Sequence, residues 1–129
     1  MNHFNEGNKF YNTQDYRRAI ECYQKAANES LNEACSYYNI GVCFIKLKEF
    51  NKAIVVLNRA ISIHPESKYI FNLGYCYAMK EITSKALYLF NLAWSLDPGD
   101  KECEKAVNLL LSKLFWGHIN QHTLYLFED

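Results

Sequence analysis

The chain repeats itself, and that constrains its fold more than any other feature. In the stretch "NIGVCFIKLKEFNKAI", Asn39, Gly41, Cys43, Lys52 and Ala53 return 33 residues later as Asn72, Gly74, Cys76, Lys85 and Ala86. The match runs on, with Asn58, Ala60, Ser62 and Pro65 recurring as Asn91, Ala93, Ser95 and Pro98. A frame moved back by 34 adds an earlier copy, aligning Gly7, Phe10, Tyr16, Ala19 and Ala26 with Gly41, Phe44, Phe50, Ala53 and Ala60. A period of this size belongs to small supersecondary units that bury their apolar faces only by stacking on one another.

Each unit reads as two helices. In the second unit, Tyr37, Ile40, Phe44 and Leu47 recur at three- and four-residue spacing, the period of one helical face. A polar break at "KLKEF" follows, and Ala53, Ile54, Leu57, Ala60 and Ile61 resume the period until Pro65 stops it. Applied to all three units, the pattern predicts helices over 2–12, 15–28, 32–47, 50–63, 67–80 and 83–96. A further helix over 100–115 is expected, with Asp100 as its N-cap and Glu102 and Glu104 in its first turn. Its Ala106, Val107, Leu110 and Leu114 can cover the open end of the last unit. Gly41 and Gly74 stand inside helices, where glycine costs about 1 kcal/mol relative to alanine. Close approach of the two helices of one unit would offset that cost, and Ala53 and Ala60 leave room for it.

These residues resemble the tetratricopeptide repeat. The second unit supplies Tyr37, Ile40, Gly41, Phe44, Ala53, Leu57, Ala60 and Pro65 at the positions of its pattern. The third supplies Ile70, Leu73, Gly74, Tyr77, Ala86, Phe90, Ala93 and Pro98. The first supplies Gly7, Phe10, Ala19, Tyr23 and Ala26, but has Leu31 where the proline belongs and His3 for the leading aromatic. The resemblance implies an all-α fold, a right-handed superhelical α-solenoid of three helix-turn-helix repeats with a capping helix. The repeats would occupy about 1–33, 34–66 and 67–99, the cap 100–115, and a tail 116–129.

Composition narrows the function. Fourteen basic and fourteen acidic residues cancel, so no global field draws the chain to nucleic acid. No apolar run approaches the ~20 residues that span a bilayer, and the N-terminal stretch lacks the apolar core of a secretory signal. Five cysteines form no CxxC pair, and Cys43 and Cys76 share one repeat position, as small buried packing residues would in a reducing cytoplasm. Cys103 lies between Glu102 and Glu104, which should raise a thiol pKa, the wrong direction for a nucleophile. His118 and His122 have metal-ligand spacing but no supporting carboxylate or cysteine. With no phosphate loop and no catalytic triad, neither an enzyme nor a cofactor is expected.

The resemblance instead implies a protein-interaction module, an adaptor whose concave groove takes a peptide segment of a partner. The first helix of every repeat would line that groove. Phe4 and Asn8 come from the first repeat, and Tyr38, Asn39, Val42 and Lys46 from the second. The third adds Lys68, Phe71, Asn72, Tyr75 and Met79, with Ala78 beside them. Amides can donate to and accept from a peptide backbone, and the aromatic rings supply amphipathic walls. A subset of the family clamps chaperone-tail carboxylates with five polar residues. Asn8, Asn39 and Lys68 match three of them, while Phe4 replaces a lysine and Asn72 an arginine. Losing two cations should weaken carboxylate binding, since charge-assisted bonds are the strong ones. Two alternatives stay open: a self-assembling protein, whose aromatic faces and apolar tail "LYLFED" would form a homodimer, and the N-terminal regulatory domain of a longer chain.

Overall fold

A computed structural model describes residues 2–116, without the side chains of Phe115 and Trp116. Among the described residues there are seven α-helices and no strand. They are α1 (His3–Asn12), α2 (Tyr16–Asn28), α3 (Glu33–Lys46), α4 (Phe50–Ile63), α5 (Ser67–Met79), α6 (Thr83–Leu96) and α7 (Lys101–Trp116). Every boundary falls within one residue of the expectation from periodicity. The expectations for His118, His122 and the rest of the tail lie outside the described residues. The chain divides into two compact units, Met1–Pro65 and Glu66–Asp129.

In the first unit α1 packs on α2, α2 on α3 and α3 on α4. Its buried residues keep the helical period: Ala19, Tyr23 and Ala26 on α2, Tyr37, Ile40 and Cys43 on α3, Ala53, Leu57 and Ala60 on α4. Asn2 caps α1 by accepting from the Asn5 amide at 2.8 Å, and Asp15 caps α2 through the Arg18 amide. Arg17 of α2 reaches Glu49, just before α4, with two contacts of 2.9 Å, and its guanidinium holds that carboxyl below the usual carboxylate range. In the second unit α5 packs on α6 and α6 on α7. Ala78, Ala86, Phe90, Ala106, Val107 and Leu110 form one buried cluster there. Full burial of a side chain like Leu57 or Phe90 is worth about 1.5–3 kcal/mol. Asp100 caps α7 as expected, accepting from the Glu102 amide at 2.8 Å.

The repeated glycines do sit where paired helices meet. A Cβ on Gly41 would stand 2.7 Å from Cγ and Cδ2 of Leu57, and one on Gly74 would stand 2.9 Å from the Phe90 ring. Gly7 follows the rule in the first repeat, where a Cβ would lie 2.6 Å from the Tyr23 ring. In each case the glycine meets the same repeat position of the second helix.

The hairpin turns share a closure that the sequence does not advertise. Gln14, Lys48 and Glu81, at equivalent repeat positions, have φ of 63°, 60° and 62°. At each turn the next amide donates back five residues: Asp15 to Phe10, Glu49 to Phe44, Ile82 to Tyr77, at 2.8–2.9 Å. This is the Schellman arrangement, which satisfies helix-end carbonyls and usually employs glycine at the left-handed position. Leu31 to Ala26 repeats it after α2, with Ser30 at φ 56°. Lys48→Gly should therefore stabilise the protein by about 0.5–1 kcal/mol, the relieved Cβ strain outweighing the greater freedom of the unfolded chain. A denaturation midpoint that stays put or falls would refute this.

Candidate functional site

Gly7 decides the geometry of the first repeat's surface. With no side chain there, the Tyr23 ring lies against α1 and its hydroxyl donates to Oδ1 of Asn8 at 2.5 Å. The Asn39 amide, on α3, favours the charged form of the same phenol, against the larger effect of burial. Tyr23 is 2% exposed, and burial pushes its phenol well above the ordinary range, so the proton stays on. A phenol has one proton to give. Having given it to Asn8, it can only accept from any further partner. The Asn8 amide of α1 is thus tied to a buried atom of α2. Phe4 stands edge-on to the Tyr23 ring, centroids 5.7 Å apart. Phe4, Asn8, Tyr38, Asn39 and Val42 are half-buried, and Lys46 is exposed.

The second unit's residues are arranged differently. Asn72 donates its amide to the Lys68 carbonyl of its own helix at 2.8 Å. The Lys68 ammonium lies 3.9 Å from the Glu66 carboxylate. Phe71 is tilted against Phe90, centroids 5.0 Å apart, and with Tyr75 packs on the buried cluster, so both rings serve the core as well as the surface. Met79 is half-buried. Ala78 is fully buried within that cluster. It lines no surface: it points toward α6 and α7, and the expectation of a groove residue there is corrected.

Tyr23 is the residue that sequence reading missed in this role. Its repeat position is Leu57 in the second repeat and Phe90 in the third, so only the first copy carries a hydroxyl. That difference was the available signal.

Burial keeps three of the thiols in their protonated form. Burial raises Cys43 and Cys76 to about 12 and Cys103 to about 11. For Cys103 the cause is burial first and then Asp100, not the flanking glutamates. Among the described residues no group of three His, Cys, Asp or Glu could hold a metal ion, and no helix is long and apolar enough to cross a membrane.

Helical hairpins of one repeated design define the chain as a helical-repeat protein. The family model of the tetratricopeptide repeat matches residues 34–67. The TPR domain of Arabidopsis OM64 superposes with a TM-score of 0.81 at 22% identity, covering 85% of this chain and 92% of that one. The first TPR of Spaghetti (RPAP3), solved with the HSP90 peptide SRMEEVD, gives 0.82 at 20% identity, over 87% and 90% of the two chains. Protein unc-45 homolog B of Xenopus laevis is 34% identical over 61 residues, 45% of this chain, and the match spans 7% of that protein's length. The fold is that of the tetratricopeptide-repeat solenoids, and residues 34–67 are such a repeat.

Proposed function

We propose that the protein is an interaction module that holds a peptide segment of a partner protein, with α1 and α3, the first helices of its first two repeats, supplying the contact face. The observation that carries this reading is the Asn8 amide of α1, whose oxygen accepts from the buried Tyr23 hydroxyl at 2.5 Å beside half-buried Phe4. Amides oriented in advance can meet a peptide backbone without the ordering cost that free side chains incur. A solved TPR domain of the same fold holds an HSP90 peptide, which supports peptide binding as a use of this fold. Here Phe4 and Asn72 occupy positions where the chaperone clamp has cations, so the preference should not depend on a terminal carboxylate.

Selection of a random peptide library against the immobilised protein tests the reading. Wild type should enrich a consensus that binds equally with a free or an amidated C-terminus. Asn39→Ala should lose about fivefold or more in affinity, the worth of one hydrogen bond, with its circular dichroism spectrum unchanged. Retained affinity in that variant would move the site elsewhere.

A further inference from the structure

We infer that the outer face of α6 is a docking site for this chain's own residues 124–127, a segment that follows α7 and lies outside the described residues. The site belongs to other helices than the α1 and α3 face, so peptide binding there neither requires nor excludes it.

Helix α6 is apolar on every side. Ala86, Leu89, Phe90 and Ala93 are buried, and Leu87 and Trp94 pack half-buried against the core cluster. Tyr88, Leu92 and Leu96 nevertheless stay 65%, 36% and 54% exposed. At a spacing of four they form one stripe about 12 Å long. The sole charge on α6 is Lys85, whose ammonium stands over the Tyr77 ring, 4.9 Å from its centroid. The earlier repeats supply a control. The same three positions are Glu21, Lys25 and Glu29 in α2, and Val55, Arg59 and Ile63 in α4. Charge solvates this stripe fully in α2 and partly in α4, while α6 has none. A helix without a polar side is ordinarily a covered one, and a continuous apolar patch left to water marks an interaction surface.

Reach identifies the occupant. Helices α6 and α7 are in contact and joined by a four-residue turn, so they run in opposite directions. The C-terminal end of α7 therefore lies toward Thr83, which precedes Tyr88 by about 8 Å of helix and Leu96 by about 20 Å. Eight residues lead from Trp116 to Leu124 and span up to about 27 Å when extended, enough to bring Leu124, Tyr125, Leu126 and Phe127 to the stripe. Four consecutive apolar side chains left in water are, like the stripe, surface that a chain ordinarily covers. A tethered segment also meets the stripe at an effective concentration of order millimolar, above that of a dilute second copy.

Photocross-linking of the full chain tests this. p-Benzoylphenylalanine is incorporated in place of Phe127, which keeps an aromatic ring there, and isotopically labelled and unlabelled protein are mixed before irradiation. After trypsin, cross-links from position 127 should fall on residues 86–101, the peptide that carries the stripe, and should never join labelled to unlabelled protein. Leu92→Glu combined with Leu96→Glu should cut that yield about fivefold or more, because docking would then bury charge. Both positions are exposed, so the circular dichroism spectrum should not change. Cross-links at the stripe between labelled and unlabelled protein would make a second copy the occupant and overturn the inference. Cross-links confined to α7, or to α1 and α3, overturn it as well, and so does their complete absence. If the double variant does not fold, Tyr88→Glu takes its place. A yield within about twofold of wild type in the folded variant overturns the inference.

Discussion

Gly41→Ala is expected to destabilise the protein by about 1–2 kcal/mol, although alanine is the better helix former by about 1 kcal/mol. The reason is local. The new Cβ would lie 2.7 Å from both Cγ and Cδ2 of Leu57, a fully buried side chain, with Val56 Cγ2 at 3.4 Å. Cγ is a branch point, so no rotation of a free end relieves the contact. Either Leu57 leaves its rotamer or α3 and α4 move apart, and both cost overpacking energy. The same argument predicts a reversal of sign. In a Leu57→Ala background the obstructing atoms are gone, and Gly41→Ala should then stabilise by about 1 kcal/mol, its intrinsic helix gain. Chemical denaturation of the four proteins in this cycle reads the coupling directly. A stabilising Gly41→Ala in wild type would show that the glycine is not there for packing.

Phe90→Ala should cost more, about 3–5 kcal/mol, the range for deleting a buried aromatic and leaving a cavity. Phe90 is fully buried among Ala78, Ala86, Ala106, Val107 and Leu110, with Phe71 tilted against its ring. Four of the five buried partners are alanine or valine-sized, so few atoms can swing in to refill the space. Loss of that ring should weaken α5, α6 and α7 together. Hydrogen exchange should show protection falling across all three helices of the second unit. A drop of under about 2 kcal/mol would mean the cluster collapses around the gap.

Much of this was legible in the sequence because repetition multiplies a weak signal. One apolar helical stripe predicts a helix with uncertain ends, whereas three stripes in register set each boundary to within a residue. The glycine role was legible for the same reason: Gly7, Gly41 and Gly74 recur against Tyr23, Leu57 and Phe90. The turn closures were not, since the left-handed position holds Gln14, Lys48 and Glu81, and side chains there give no hint of positive φ. Ala78 was misplaced because helical spacing alone cannot separate a groove position from one that meets α7, a helix outside the repeat pattern. Tyr23 was read only as one position of the repeat pattern. Its hydroxyl acquires a purpose only when Asn8, on another helix, is seen to accept from it.

The way each helix packs on its sequence neighbour within a unit bears on how quickly the chain finds its native state. The partners α1 and α2, α3 and α4, and α5 and α6 are joined by turns of only three residues. Closing such short loops loses little chain entropy, and low contact order goes with folding in microseconds to milliseconds. Any of these hairpins can serve as a nucleus on which its neighbour then condenses. A chain built this way exposes its apolar stripes only briefly on the way to the folded state.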